Sequence, residues 1–461
     1  MSAGPGHALL EEQIGQWRAY LRQRRAFNGP DVEELETHLR DQVGVLTQAG
    51  LAEDEAFLVA VKRMGSLDAL SREFAREHSE RLWKQLVIAP EGDAAPGTAT
   101  RTETLVVFAL AAAAALAIKI PVLFGLKPDG DAAFYARNAS LFVLPFLTGY
   151  FVWKRRMDPR HCVWLAVPFI AAAAVVNTFP FTRRPQQVVS DTEALSAMHL
   201  PIALSLVVGI AYVRGRWFEG AGRMDFVRFS GELFIYYVLI ALGGGVLTAF
   251  TMMMFQAIGL KPDWIAQDWL IPCGATGAVI VGSWLVEAKQ SVIENMAPVL
   301  TRLFTPLFTT VLLVFLATMA WTGRPIDIQR NVLIAFDLLL ALVVGLVLYS
   351  ASARDPEAPP NLFDGLQLLL ILSALVVDAL ALAAIASRIS EFGFTPNRVA
   401  ALGENLILLV NLAWSAWLFA AFLRGRTPFR ALEAWQTAYL PVYSIWAALV
   451  VLLFPPLFGY A

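Results

Sequence analysis

Charged residues are scarce in this 461-residue chain, at 16% of the total, whereas 57% of its residues are hydrophobic. An ordinary soluble domain has about 25% charged and roughly 45–50% apolar residues. The scarcity is uneven, because residues 1–85 hold 25 of the 74 charged side chains and the other 376 residues hold 49. So few charges cannot form a water-facing shell, which excludes a soluble globular fold for most of the chain and favours membrane spans.

Cysteine is also nearly absent, and Cys162 and Cys273 both lie in or beside apolar blocks. The sequence therefore offers no disulfide framework and no ligand-spaced cluster for zinc or iron–sulfur. The motifs G-x-x-x-x-G-K-[ST], G-x-S-x-G and H-E-x-x-H are lacking, which argues against a built-in ATPase and these hydrolase classes. A net charge of −2 without a basic stripe argues against nucleic-acid binding. We expect no cofactor, no metal and no enzymatic activity.

Residues 1–86 predict a four-helix N-terminal domain. Its second helix begins at Asn28-Gly29-Pro30 and ends at Gly50, and the others lie near 9–27, near 53–64 and from Ser66 onward. Apolar residues recur every three or four positions along the second helix and predict one buried stripe. They are Val32, Leu35, Leu39, Val43 and Leu46. Residues 87–103 are rich in proline, glycine and small residues, which predicts a flexible linker.

Residues 104–461 predict an all-α, polytopic membrane domain with about eleven spans in contact with the lipid bilayer. The apolar blocks lie near 104–124, 138–153, 161–179, 194–213, 232–257, 268–286, 302–321, 331–349, 363–386, 399–422 and 437–456. Basic residues near the span ends number 14 on one side and 9 on the other. This bias predicts a multi-pass inner-membrane protein with its N-terminus in the cytoplasm and its C-terminus outside.

Three motifs stand out in the N-terminal domain, namely Asp31-Val-Glu-Glu-Leu-Glu-Thr-His-Leu-Arg40, Ala49-Gly-Leu-Ala-Glu-Asp-Glu-Ala56 and Arg63-Met-Gly-Ser-Leu-Asp-Ala-Leu70. With these motifs the domain resembles the bacterial permease prefix domain. The resemblance implies a cytoplasmic regulatory or docking module that binds a cytoplasmic or membrane partner.

Three further motifs lie in the membrane domain, namely Tyr135-Ala-Arg-Asn-Ala-Ser-Leu-Phe-Val-Leu-Pro145, Leu239-Ile-Ala-Leu-Gly-Gly-Gly245 and Arg388-Ile-Ser-Glu-Phe-Gly-Phe-Thr-Pro-Asn-Arg398. Through them, residues 130–425 are similar to an uncharacterised multi-span bacterial family, a domain of unknown function that often follows permease prefix modules. The family implies no reaction. Turn chemistry also explains the last motif, because Gly393 and Thr395-Pro396-Asn397 predict a turn in which Thr395 or Asn397 caps the next helix.

Three acids, Asp337, Asp378 and Glu404, lie inside predicted spans at a similar depth on the outer side. Charged residues within spans are costly and usually face the bundle interior or a water-filled cavity. Asn405 and Asn411 extend a polar network below them. The loops above supply further charges, namely Arg324, Arg330, Arg388, Glu391 and Arg398. The acids therefore predict either a cation or proton site or a set of structural ion pairs with these arginines.

Three functions fit these features. An envelope sensor or regulator that signals through the cytoplasmic domain is favoured first, because one compact head joins spans that lack catalytic motifs. A secondary transporter or permease that uses the intramembrane acids is the alternative. A lipid-linked glycosyltransferase-like enzyme is third, because Asp129-Gly-Asp131 lies in the first outer loop and His199 near the same face.

Overall fold

The computed structural model describes residues 10, 13–15, 29–48, 51–52, 56–57, 59–61, 101–127, 130–182, 189–219, 222–258, 263–288, 296–323 and 330–461. The chain divides into two compact units, residues 1–94 and 95–461. Every regular element among the described residues is helical, which confirms the all-α prediction. The predicted fourth head helix and most of the linker lie outside the described residues, while residues 101–103 already belong to a helix.

In the N-terminal unit, helix α1 runs from Gly29 to Gln48, within the predicted bounds. The stripe on α1 is buried at Leu39, Val43 and Leu46. These side chains form a core with Ile14 and Phe57 from the two neighbouring segments. The unit therefore has a small hydrophobic core of its own.

The second unit contains eleven long helices among its described residues. They are α2 (Arg101–Ala117), α3 (Ala132–Lys154), α4 (Pro159–Thr178), α5 (Asp191–Tyr212), α6 (Arg223–Ala257), α7 (Ile271–Ala288), α8 (Met296–Thr322), α9 (Arg330–Ala353), α10 (Leu362–Phe392), α11 (Pro396–Leu423) and α12 (Arg430–Leu457). Short turns of other helix types extend α2 at Ile120–Phe124 and precede α7 at Ala266–Leu270. A further short turn, Trp217–Glu219, follows α5.

Ten of these helices, with their extensions, are long and apolar enough to cross a membrane, which confirms a polytopic membrane protein with slightly fewer apolar spans than predicted. The exception is α3, which has 23 residues but falls short in apolarity. Its position explains the difference, because α3 packs against α2, α4, α5 and α7. Polar residues such as Asn138 and Thr148 are buried there among protein rather than lipid.

Polar contacts at both ends show that α3 nevertheless runs the full length of the bundle. At its end, Lys154 pairs with Glu103 of α2 at 2.9 Å, and Arg155 pairs with Glu287 of α7 at 3.0 Å. At its beginning, Arg137 pairs with Glu193 in the first turn of α5. Since α2 begins where α3 ends, the two helices are antiparallel.

The membrane unit has two main hydrophobic cores. One is built mainly from α2–α5 with contributions from α6 and α7, and the other from α8–α12. The two helix groups meet chiefly where α5 packs along α12. A small cluster of Leu195, Ala400, Val450 and Phe454 joins α5, α11 and α12 at this junction.

The corner between α9 and α10 is held by one arginine. Arg354 donates from Nε and Nη2 to the two carboxylate oxygens of Asp364, at 2.9 and 3.0 Å. Its guanidinium also lies 4.7 Å from the ring centroid of Phe422 and 4.4 Å from that of Phe429. Asp364 and Asn361 form a capping box at the start of α10. This corner ties α9, α10 and α11 together.

Candidate functional site

The candidate site is built from α9, α10 and α11, each of which contributes one of the predicted acids. Asp337 lies on α9, Asp378 on α10 and Glu404 on α11. The carboxylates of Asp378 and Glu404 both lie close enough to Asp337 to interact with it electrostatically. The structure therefore brings the three acids into one cluster, which we call the acid cluster.

Asn405 connects two helices within this cluster. Its Nδ2 donates to Oδ1 of Asp337 at 2.7 Å and to the carbonyl oxygen of Ala401 at 2.8 Å. Asn405 is fully buried, and its Oδ1 has no hydrogen-bond partner among the described residues. Asp337 is thus held by one amide donor rather than by a basic side chain.

Asp378 is the most enclosed of the three acids. It has no exposed surface, and neither of its carboxylate oxygens has a hydrogen-bond partner among the described residues. An ionised carboxylate without a partner is very costly in an apolar interior. Asp378 is therefore stable in this place only as a neutral acid or with a bound cation.

No ion pair joins the acid cluster to an arginine within the described part of the chain. The side chain of Arg398 donates to the carbonyl oxygens of Phe392 and Gly393, in its own connecting segment. The sequence predicted that Arg388 and Glu391 lie in an outer loop. In the structure both belong to the last turns of α10, so the connection to α11 is shorter than the motif at residues 388–398. Arg324 and the side chain of Arg330 lie outside the described residues.

The motif at residues 388–398 forms the connection between α10 and α11. Gly393 has a φ of 75° after the end of α10. The side chain of Thr395 accepts from the backbone NH of Arg398 at 3.4 Å, so Thr395 caps α11 and Asn397 does not. Pro396 occupies the first turn, where its lack of an NH costs nothing. A turn and a helix cap account for these residues.

Asn411 belongs to a different polar group. Its Oδ1 accepts from Nε2 of Gln436 on α12 at 3.3 Å, and Gln436 also donates to Ser415 at 2.6 Å. All three residues are buried. The predicted network that joins Asn411 to the acids is thus replaced by a separate link between α11 and α12.

A cavity of about 310 Å³ adjoins the acid cluster and includes Glu404 in its wall. It lies at the junction of the two helix groups, between α5 on one side and α9, α11 and α12 on the other. Small-molecule sites occupy clefts of roughly 300–1,000 Å³. The volume is therefore sufficient for a small organic ligand.

Aromatic side chains form much of this cavity wall, and two glycines position them. A Cβ added to Gly403 would lie 2.1 Å from Cζ2 of Trp446, and one added to Gly209 would lie 2.6 Å from Cζ3 of Trp217. Both indoles line the cavity. The absence of a side chain at Gly403 and Gly209 is therefore what allows them to pack there.

The aromatic residues of the cavity escaped prediction because each lies far from the acids in sequence. Trp217 and Trp446 are typical of span ends and helix cores in any membrane protein. A glycine directly before a membrane-embedded acid, as at Gly403-Glu404, is a local signal of close packing beside the acid.

Residues suggested for enzymatic chemistry do not assemble into a catalytic group within the described residues. Asp131 is the residue before α3, and its carboxylate accepts from the backbone NH of Lys127 at 3.0 Å. His199 has its Nδ1 2.9 Å from the carbonyl oxygen of Leu195 and lines the cavity. Asp129 lies outside the described residues. The described residues contain no group of three or more His, Cys, Asp or Glu that could hold a metal ion.

No protein family, curated protein or solved structure matches the chain in comparisons of its sequence and its fold.

Proposed function

We propose that the protein is a non-enzymatic, proton-linked secondary transporter in which the acid cluster carries the proton. The observation that carries this proposal is that Asp378 and Glu404 each lie near Asp337 within membrane-spanning helices, without a basic partner among the described residues. Intramembrane acids of this kind mark proton relays and ion pathways. Structural ion pairs with arginine, the other interpretation of the sequence, have no support from the contacts of Arg398.

The location of the cavity supports the same function. Transporters place their substrate sites between two groups of helices that rock against each other. Here the cavity lies between the two hydrophobic cores, and Glu404 belongs to both the cavity wall and the acid cluster. A change in the protonation of the cluster therefore alters the charge at the wall of the cavity.

Proton movement tests this proposal without knowledge of the substrate. Protein reconstituted into liposomes that contain a pH-sensitive dye is expected to conduct protons under an imposed membrane potential. Asp378→Asn removes the carboxyl group that is stable only when it holds a proton or a cation. The proton flux of this variant should therefore fall at least tenfold, to that of protein-free liposomes. Ser373→Ala, a buried polar residue on the same helix, should keep the wild-type flux.

Two results would contradict the transporter. One is wild-type flux no faster than that of protein-free liposomes, and the other is an Asp378→Asn variant as fast as the wild type. If a sodium gradient drove a sodium flux equal to the wild-type proton flux, the acid cluster would be assigned to a metal cation instead of a proton.

A membrane sensor or regulator is the second candidate, and the separate core of the N-terminal unit favours it. In this function the unit reports the state of the membrane domain to a cytoplasmic or membrane partner, as the resemblance to permease prefix domains implies. Deletion of residues 1–86 should then change gene expression in cells while membrane insertion continues. An unchanged transcriptome in the deletion strain would count against the sensor.

The orientation belongs to the same proposal, with the N-terminus in the bacterial cytoplasm and the C-terminus outside. Ser390 and Arg426 are both exposed and lie at opposite ends of the bundle. In a background without Cys162 and Cys273, a membrane-impermeant maleimide should label Ser390→Cys in intact cells. It should label Arg426→Cys only after permeabilisation. The reverse pattern would place the N-terminus outside.

A further inference from the structure

The cavity beside the acid cluster gains negative charge when Glu404 ionises. Glu404 is its only acidic lining residue, and neither lysine nor arginine is among the described residues that line it. His199 is the one other titratable group of the wall apart from Tyr443. An ionised Glu404 therefore makes the wall complementary to a cation.

Aromatic rings complete this complementarity. Trp217, Phe226, Tyr443 and Trp446 all line the cavity. Indole and phenol faces attract organic cations, and cages of such rings recognise quaternary ammonium groups. Because the remaining wall is largely aliphatic, the cavity fits an apolar cation better than a hydrated metal ion.

The cavity is accessible from between two helices. Ile202 on α5 and both Ala341 and Gly345 on α9 line the cavity and are exposed. These positions lie in the middle of helices that are long and apolar enough to span the bilayer. An apolar cation that partitions into the bilayer can therefore enter sideways.

We propose that this cavity binds an organic cation of the quaternary ammonium class with an apolar body. The cationic group lies against Glu404 and the aromatic rings, and the apolar body lies along the aliphatic part of the wall. The assignment names the substrate class of the proposed transporter and in that respect rests on the proposed function. Binding itself does not require transport.

Benzoylcholine combines a quaternary ammonium group with an apolar aromatic ring, and it is a suitable probe. Equilibrium dialysis against the full-length protein in lipid nanodiscs, corrected with empty nanodiscs, should give saturable binding. Glu404→Gln removes the counter-charge and should weaken binding at least tenfold. Glu391→Gln, which alters an exposed acid at the end of α10, should bind as the wild type does.

A second pair of variants tests the place of binding. A Cβ added to Gly345 meets no atom within 4 Å, so Gly345→Leu fills the cavity without a clash at that atom and should abolish binding. Gly244→Leu makes the same change at an exposed glycine in the middle of α6, where a Cβ also meets nothing within 4 Å. It should leave binding unchanged.

The proposal is wrong if the wild type shows no saturable binding of benzoylcholine. It is also wrong if Glu404→Gln binds as tightly as the wild type, or if Gly345→Leu and Gly244→Leu bind alike. Proton flux without benzoylcholine binding would overturn only the ligand assignment, whereas binding without proton flux would overturn the transporter and leave the site in place.

Discussion

Replacement of Arg354 by methionine is expected to lower the free energy of unfolding by about 3–5 kcal/mol, the usual effect of removing one partner from a buried ion pair. The substitution leaves Asp364, whose side chain is 3% exposed, without its counter-charge. It also removes the guanidinium that packs on the rings of Phe422 and Phe429. Unfolding by a denaturing detergent in mixed micelles measures the loss.

Arg430→Met provides the matched control. Arg430 pairs with Glu357 at 2.8 Å, but their side chains are 71% and 73% exposed. Exposed ion pairs contribute little to stability, so this variant should unfold close to the wild type. The double change Arg354→Met with Asp364→Leu should recover part of the loss, because no buried charge then remains. Equal stability of Arg354→Met and Arg430→Met would show that the corner does not depend on this pair.

The second large effect is expected at Gly403, where alanine should destabilise the protein by about 1–3 kcal/mol or more through overpacking. The added Cβ would lie 2.1 and 2.2 Å from two carbons of the Trp446 indole, which is rigid and cannot bend away. Either the indole or α11 must move. Since Trp446 lines the cavity next to Glu404, benzoylcholine binding should be lost as well.

The same substitution at Gly345 should have the opposite sign. Gly345 also lies within a helix, but its Cβ would meet no atom within 4 Å. Alanine there should stabilise the protein by about 0.5–1 kcal/mol, because glycine is a poor helix former. In addition, Trp446→Leu should restore the stability of Gly403→Ala. If Gly403→Ala matched Gly345→Ala in the same unfolding assay, the close packing of Trp446 on α11 would be refuted.

The sequence predicted the helical membrane fold well, because a run of about 20 apolar residues is visible in the sequence and is sufficient for a helix to span the bilayer. It also predicted the neighbourhood of Asp337 and Asn405, since both lie at a similar depth on helices that enter from the same side. The partner of Asn411 was not predictable in this way. Depth along a helix does not specify which neighbour a side chain faces, and Asn411 faces Gln436 on α12.

The predicted pair between Arg398 and the acids is replaced by other contacts for a related reason. Arg398 lies in the first turn of α11, the helix that carries Glu404. Its side chain nevertheless donates to the backbone carbonyl oxygens of the preceding connection, at 2.9 and 2.7 Å. Backbone carbonyl oxygens are available as acceptors in any tertiary fold. The positions of charged residues in the sequence do not show whether an arginine will bind these oxygens or a distant acid. The cavity was equally hidden, because it depends on how α5 and α12 are placed against α9 and α11.

The limited apolarity of α3 has a consequence for biogenesis. The translocon releases a helix into lipid according to its apolarity, and α3 falls below the other spans. Asn138 becomes acceptable in the membrane only when Asn177 of α4 exchanges amide hydrogen bonds with it, at 2.9 and 2.8 Å. We therefore expect α3 to enter the bilayer together with α4, as a hairpin, rather than as a separate helix.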